Sequence, residues 1–340
     1  MTKPDQIYKP PLTIKETDFM QTQKAIKSVK ASKVERKRLW QAAIKWPLYS
    51  VAIMPVFLAA GWRQSIQGNI RWDQLIGFLL ASIFLLIWEN LTNDLFDSDT
   101  GVDKFKLHSV ITLLGKRRLV SRLANTALGI GLLMILLLSI RSHYSVLFLV
   151  LGSCMLGYLY QGPPFRLGYH GLGEPLCWLA FGPLGTAAAL LVITPRTGVD
   201  DGIPWAIATL IGSGPALATT LVLFCSHFHQ VTQDAECGKK TSLVRLGTRR
   251  AADLVPWIIA LILLLECIPI LQGNLPITVL LGMIALPKAV SLITLLKQHH
   301  NHPDLISNCK FLALKFQTLN GFGLSIGLAV APALGINFAH

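Results

Sequence analysis

Long apolar stretches alternate with short polar segments from the region of Trp46 to the C-terminus. The clearest stretch, QLIGFLLASIFLLIW, runs from Gln74 to Trp88 without a charged residue. Apolar runs of about twenty residues are typical of helices that cross a bilayer. The sequence therefore predicts an all-α membrane protein, with one bundle over residues 46–340 around a central cavity. About nine membrane-spanning helices are expected, starting near Pro47, Asp73, Leu119, Tyr144, Gly173, Pro204, Ala251, Leu275 and Phe311.

Residues 1–45 form a polar tail with eleven Lys or Arg residues. Within it, residues 24–40 place Ile26, Val29, Val34 and Leu39 partly on one side of a helix. Two interpretations stay open for this segment. It is either a disordered arm or an amphipathic helix that lies on an anionic membrane surface.

Composition and charge support the membrane class. Hydrophobic residues make up 52% of the 340 residues and charged residues only 14%, whereas soluble domains carry about 25% charged residues. The formal charge of +13 does not indicate nucleic acid, because the basic residues lie in the tail and in short loops between spans. Their distribution predicts a cytoplasmic N-terminus. Six scattered cysteines without a CxxC motif indicate neither disulfides nor zinc.

A dense group of acids follows the first charge-free stretch. Five carboxylates occur between Glu89 and Asp103, where the second helix leaves the lipid. On a helix, Glu89, Asn93 and Asp97 lie four residues apart on one face, and Asn90, Asp94 and Asp97 form a second, overlapping stripe. Carboxylate and amide oxygens are hard ligands that suit Mg²⁺, and Mg²⁺ is often bound together with a phosphorylated substrate. We therefore expect this stretch to bind a metal–diphosphate at one membrane face.

Basic residues flank the acids on the same predicted loop. They are candidates for binding the diphosphate: Lys104, Lys106, Lys116 and Arg117.

A second polar segment, residues 226–247, follows the predicted sixth span on the same face. Asp234 is a candidate for a second metal, and His227 and Gln230 share its side of a helix. Lys239 and Arg245 are candidates for diphosphate oxygens, because Arg binds phosphate in a bidentate manner and Lys as a point charge.

A third segment, residues 158–174, breaks the chain with Gly and Pro between two spans. Irregular backbone at membrane depth is expected where it lines a cavity. Tyr158 and Tyr160 offer π faces that stabilise a cation, and Glu174 lies just inside the fifth span, where an acid is a functional candidate. Glu266, near the outer end of the seventh span, is interpreted as an interfacial acid.

Two motifs resemble those of a known family. Asn93-Asp94-x-x-Asp97 resembles the first aspartate-rich motif of the UbiA-type aromatic prenyltransferases, and Asp234-x-x-x-Gly238-Lys239 resembles the second. The tract from Tyr160 to Glu174 is similar to the 1,4-dihydroxy-2-naphthoate branch. Lys106-Leu107-His108-Ser109-Val110 and His227-Phe228-His229-Gln230-Val231 resemble its cyanobacterial and plastid members, which use a phytyl donor. Two positions depart from the family pattern. Gly101 stands where a further Asp is frequent, with Asp99 or Asp103 as its candidate substitute, and His227 or Gln230 stands in the region of an earlier Asp.

The resemblance implies Mg²⁺-dependent transfer of a prenyl group, here phytyl, from its diphosphate to 1,4-dihydroxy-2-naphthoate with loss of CO₂. Asn93, Asp94, Asp97 and Asp234 would hold magnesium on the diphosphate. Tyr160 or Tyr158 would shield the carbocation, and Arg166 or Lys239 would pair with the acceptor carboxylate. The expected setting is the cytoplasmic or thylakoid membrane, with the active site towards the cytoplasm.

Two alternatives remain at this point. Another member of the superfamily, a homogentisate phytyltransferase or a chlorophyll synthase, typically shows Asn-x-Pro after the first motif, and residues 104–109 lack it. A secondary transporter is the other alternative. Transporters place charges near the bilayer midplane and contain repeats, whereas the acids here cluster at one face.

Overall fold

The computed structural model describes residue 40 and residues 46–101, 109–195, 202–336 and 338. The expected tail, apart from Trp40, therefore lies outside the described residues, as do the predicted ligands Lys104 and Lys106.

Helices make up nearly all of the described chain, and no strand occurs among the described residues. The long helices are α1 (Tyr49–Ser65), α2 (Trp72–Thr100), α3 (Arg117–Arg141), α4 (Ser145–Gln161), α5 (Gly173–Ile193), α6 (Trp205–Ser226), α7 (Thr248–Leu271), α8 (Ile277–His299) and α9 (Cys309–Val330). Short helices between and after them span Trp46–Leu48, Val110–Leu114, Leu167–His170, Phe228–Gln230, Val231–Glu236, Ser242–Leu246 and Pro332–Leu334. Helix α5 contains a π turn at Ala180–Leu184, and α8 begins as a 3₁₀ helix at Ile277–Ala285.

Six of these helices are long and apolar enough to cross a bilayer within the described residues: α2, α3, α5, α6, α7 and α8. Helix α4 is apolar but shorter. Together with the absence of strands from the described part, this confirms an all-helical membrane protein. The count of nine spans and the orientation of the N-terminus stay predictions.

Helix α6 lies in the middle of the bundle. In its most apolar segment, 72% is buried inside the protein, whereas only 28% of the corresponding segment is buried in α2 and in α7. Small residues such as Ala208, Gly212 and Ala218 allow neighbouring helices to approach it closely. Exposed leucines and isoleucines concentrate on helices such as α3 and α7, as expected for helices whose outer faces contact lipid.

Glu266 departs from its predicted place at the membrane interface. Its side chain is 7% exposed and lies inside the bundle. The amide Nδ2 of Asn320 on α9 donates a hydrogen bond to Glu266 Oε2 at 2.9 Å. A partner from another helix thus compensates part of the cost of burying this acid.

Candidate active site

A cavity of about 930 Å³ opens between the helices. Helix α2 lines it from Phe78 to Asp97, a distance of about 28 Å along the helix axis. Leu85, Ile135 and Val150 line its apolar part. Polar lining residues gather where α2 and α4 end and α5 begins, and we call this side the acidic end of the bundle. The polar lining residues there include Asn90, Asn93, Asp94, Asp97, Ser109, Gln161, His227, His229, Gln230, Lys239 and Lys310.

The first acidic motif lies on the cavity wall. Asn93, Asp94 and Asp97 all line the cavity, and the two carboxylates are 5% and 6% exposed. The backbone N–H of Val110 donates to Asp94 Oδ2 at 3.2 Å. The helical spacing brings the three side chains to one face of α2, and Gly101, in the left-handed conformation with φ of +79°, ends the helix beyond them.

Tyr169, on the loop before α5, joins this group. Its hydroxyl lies 2.6 Å from Thr100 Oγ1 and 3.5 Å from Asp97 Oδ1. Burial is the main cause that raises the pKa of the Tyr169 phenol above its ordinary value, and the charge of Asp97 adds to it. The phenol therefore stays protonated at neutral pH and is a hydrogen-bond donor towards the acids.

Asp234 lies behind the wall of the cavity. It is fully buried and is not among the described residues that line the cavity. Its Oδ2 is 3.0 Å from His227 Nδ1, and its Oδ1 is 3.8 Å from Lys239 Nζ. His227 and Lys239 do line the cavity, as does Gln230. The structure thus brings the two acidic motifs to the same end of the bundle, with two side chains between Asp234 and the cavity.

Lys239 connects the two motifs. Gly238, with φ of +73°, reverses the chain after the Val231–Glu236 helix, and Lys239 N donates to Asp234 O at 2.8 Å. The Lys239 ammonium then lies 5.1 Å from the centre of the Tyr169 ring, within the range of a cation–π contact. A positive charge is therefore held beside the carboxylates, where a diphosphate would need one.

The two tyrosines of the third segment lie in different places. Tyr160 lines the cavity, and Gly168 and Gly173 make room for its ring, since a Cβ on either would come 2.5 or 2.6 Å from Tyr160 Cε2. Tyr158 is absent from the described lining residues. Its hydroxyl donates to Pro163 O at 2.8 Å, and its ring packs edge-on against Phe96.

Several predicted substrate ligands serve the loops instead of lining the cavity in the described structure. Glu174 Oε2 accepts a hydrogen bond from Ser242 Oγ at 2.8 Å. Arg245 donates to Lys240 O and His170 O at 3.0 and 2.9 Å. Arg117 binds both oxygens of Asp99 on the surface, at 2.6 and 2.8 Å.

Lys116 and Arg166 are likewise not among the described lining residues. Lys116 is exposed. Arg166 has its guanidinium carbon 5.7 Å from the centre of the Tyr169 ring.

Other lining residues were not anticipated as site residues. Gln161 follows Tyr160 directly, and Lys310 lies in the first turn of α9. The polar residue at the end of an apolar helix is the one signal that would have singled out Gln161.

The donor set fits magnesium bound together with a phosphate ligand. Asp94 and Asp97 provide two carboxylates on the cavity wall, and Asn93 provides an amide oxygen. Among the described residues, no group of three or more His, Cys, Asp or Glu is arranged to hold a metal by itself. Mg²⁺ is usually held by one or two carboxylates and completes its coordination with water and substrate phosphates.

The fold and the site together define a helical membrane protein with an acid-lined, largely apolar cavity. The model of the UbiA prenyltransferase family matches residues 49–314. The chain is 40% identical over 295 residues to a 2-carboxy-1,4-naphthoquinone phytyltransferase of Synechocystis sp., covering 86% of this chain and 93% of that protein. It is 36% identical over 313 residues to the chloroplastic enzyme of the same name from Arabidopsis thaliana, covering 90% and 81%.

A solved structure of a digeranylgeranylglyceryl phosphate synthase superposes with a TM-score of 0.55 at 14% identity, covering 87% of this chain and 99% of that one. This likeness concerns the fold alone. The chain belongs to the UbiA prenyltransferase family. It is a membrane-embedded prenyltransferase, and the predicted resemblance is confirmed.

Proposed function

We propose that the protein transfers a phytyl group from its diphosphate to 1,4-dihydroxy-2-naphthoate, with loss of CO₂ and diphosphate, on the route to phylloquinone or menaquinone. One observation carries this proposal: the carboxylates of Asp94 and Asp97 line the polar end of a cavity whose remaining length is largely apolar. A diphosphate ester with a long isoprenoid tail needs a polar environment for the diphosphate and, next to it, an apolar environment for the tail. The two named relatives support the donor and the acceptor ring.

Each part of the cavity has a role in this reaction. Asn93, Asp94 and Asp97 would hold Mg²⁺, which neutralises the diphosphate so that the allylic C–O bond breaks. Lys239, which lines the cavity and contacts Tyr169 and Asp234, would add a positive charge. The ring of Tyr160 faces the cavity and would shield the carbocation. Asp234 would act through His227 and Lys239, which it contacts.

The redox form of the acceptor matters. The relatives are named for the quinone, which is the two-electron oxidised form of the same carboxylated ring system. A carbocation is attacked by an electron-rich ring, and the dihydroxy form supplies one. We therefore propose that the hydroquinone is the reacting species.

We further propose that the acidic end faces the cytoplasm. Lys116, Arg117, Lys239 and Lys240 lie at this end of the bundle together with Arg249 and Arg250. Basic residues in short loops favour the cytoplasmic side. To test this orientation, the exposed Arg250 is replaced by a single cysteine. Its labelling by a membrane-impermeant reagent is then compared in intact cells and in opened vesicles.

The first test compares three aspartates on one helix. Asp94→Asn and Asp97→Asn each remove a carboxylate from the cavity wall and should lower Mg²⁺-dependent transfer by about a hundredfold or more. Asp99→Asn is the matched control, because Asp99 binds Arg117 on the surface and is not among the described lining residues. It should keep transfer within about twofold of the wild type.

Membranes containing the protein are supplied with Mg²⁺ and with either phytyl diphosphate or a longer polyprenyl diphosphate. The acceptor is added in its reduced or its oxidised form, and the products are identified by mass. The phytylated ring without its carboxylate is expected from the reduced acceptor. Near-full transfer by Asp97→Asn would remove the acidic motif from the chemistry. Preference for another aromatic acceptor would reassign the substrate within the family.

A further inference from the structure

Glu89 is a third carboxylate on the cavity wall, and the first acidic motif does not include it. It lies four residues before Asn93 and eight before Asp97 on α2, which places it about 6 and 12 Å deeper along the helix axis. An acid at this depth in a membrane protein is costly and is a functional candidate by default. Its position is beyond the diphosphate end and before the apolar part of the cavity.

The surroundings of Glu89 are formed by three helices. A Cβ on Gly157 of α4 would come 3.6 Å from Glu89 Cδ and 3.8 Å from Oε1, so the carboxylate lies beside α4 at van der Waals distance. Cys154 on α4 and Cys177 on α5 line the same cavity. The lysines among the described lining residues are Lys239, after α6, and Lys310, in the first turn of α9.

Two amide side chains beside Glu89 have polar atoms without a partner among the described residues. Gln161 lies one turn beyond Gly157 on α4, is 4% exposed, and has an unsatisfied Oε1. Asn90, next to Glu89, has an unsatisfied Nδ2. Both residues line the cavity, and leaving such buried polar groups unpaired is unfavourable. A ligand with hydrogen-bonding groups would satisfy them, whereas an isoprenoid chain would not.

We propose that Glu89 is a catalytic residue that binds a hydroxyl of the aromatic acceptor and takes its proton, while Asn90 and Gln161 hold the polar edge of the ring. This inference rests on the proposed function. It places the acceptor in the middle of the cavity, between the diphosphate at Asp94 and Asp97 and the apolar part that takes the tail.

The proton returns in the same turnover. The allylic C–O bond breaks and the diphosphate takes the electron pair. As the hydroxyl proton moves to Glu89, the ring carbon that bears the carboxylate forms the new C–C bond and the C–O group becomes a ketone. The resulting β-keto carboxylate loses CO₂, and the electron pair of the broken C–C bond forms an enolate. The enolate oxygen then takes the proton back from Glu89, so no external acid, base or oxidant is consumed.

The test separates ionisation of the donor from attack by the acceptor. Glu89→Gln keeps the shape of the side chain and removes the base. In the purified full-length protein with Mg²⁺, phytyl diphosphate and reduced acceptor, it should lower kcat for transfer by about a hundredfold or more. Release of phytol from the donor in the absence of acceptor, and the KM for the donor, should stay within about threefold of the wild type. The loss of transfer should shrink at high pH, where the acceptor hydroxyl ionises without a base.

Glu236→Gln is the matched control, because Glu236 is exposed at the same end and is not among the described lining residues. It should leave all these quantities unchanged. Transfer by Glu89→Gln within about threefold of the wild type, or an equal loss of transfer and phytol release, would overturn the role of Glu89. If Glu89→Gln does not fold, Glu89→Asp is measured instead, and the same selective loss of transfer is required. A wild type without Mg²⁺-dependent transfer would instead refute the proposed function.

Discussion

Asp234 shows how one buried carboxylate organises two side chains of the cavity wall. It accepts from His227 Nδ1 and lies beside the ammonium of Lys239. A histidine whose Nδ1–H is held by a carboxylate has its ring orientation and its tautomer fixed. Lys239 is itself only 2% exposed, so its charge depends on the nearby acid for compensation.

Asp234→Asn should therefore lower kcat/KM by about ten- to a hundredfold, the range found for partners that orient a site from outside it. The Mg²⁺ concentration for half-maximal transfer should change by less than about twofold, because Asp234 would act through His227 and Lys239. Magnesium titrations of transfer in the purified protein measure both quantities. The double variant Asp234→Asn/Lys239→Met controls for the stability lost by leaving a buried lysine uncompensated. A tenfold rise in the magnesium requirement would instead make Asp234 a metal ligand.

The placement of Asn93, Asp94 and Asp97 on one face of α2 could be predicted from the sequence, because the regular spacing of a helix determines which side chains share a face. It left Tyr158 and Tyr160 as alternatives, and positions two apart on a helix point in different directions, so only packing selects Tyr160. In the loops, too, tertiary packing decides which side chains reach the cavity. Glu174 and Arg245 have the right chemistry for substrate, but tertiary contacts between loops engage them, while Gln161 and Lys310 line the cavity.

Close approach of helices α8 and α9 depends on glycines of α9. A Cβ on Gly323 would come 2.5 Å from Leu281 O, and one on Gly327 would overlap the backbone of Thr278. Thr278 Oγ1 also donates to Gly327 O at 2.6 Å. Small residues of this kind allow backbone-to-backbone packing, which stabilises helix pairs in a membrane where the hydrophobic effect between helices is absent.

Gly327→Ala should destabilise the protein by about 1–3 kcal/mol, because the added methyl group forces the two backbones apart. Thermal unfolding in detergent, followed by loss of the monodisperse protein, measures the change. Gly129→Ala on α3 is the control, since a Cβ there meets nothing within 4 Å and alanine favours a helix. An equal midpoint for both variants would show that α8 and α9 separate without cost.

At the scale of the whole molecule, a bound diphosphate with Mg²⁺ would join the helices around the cavity at the acidic end. The described residues there provide two carboxylates and an amide on α2, and lysines from other elements. Inorganic diphosphate and Mg²⁺ together should therefore raise the thermal midpoint by several degrees, corresponding to about 2.7 kcal/mol at a hundred times the Kd. Mg²⁺ alone should have a much smaller effect. Asp97→Asn should abolish the joint shift, and a full shift from Mg²⁺ alone would contradict this arrangement.

The loop before α5 and the loop after α6 are tied together at the acidic end. Lys240 N donates to Tyr169 O at 2.8 Å, and the contacts of Ser242 with Glu174 and of Arg245 with His170 add to this link. The two loops therefore behave as one cap. A movement that separates Tyr169 from Asp97 would also carry Lys239 and Asp234, which are bonded to each other, away from the acids of α2. A spent diphosphate leaving beneath this cap would then lose its contacts with α2 and with the cap in a single event.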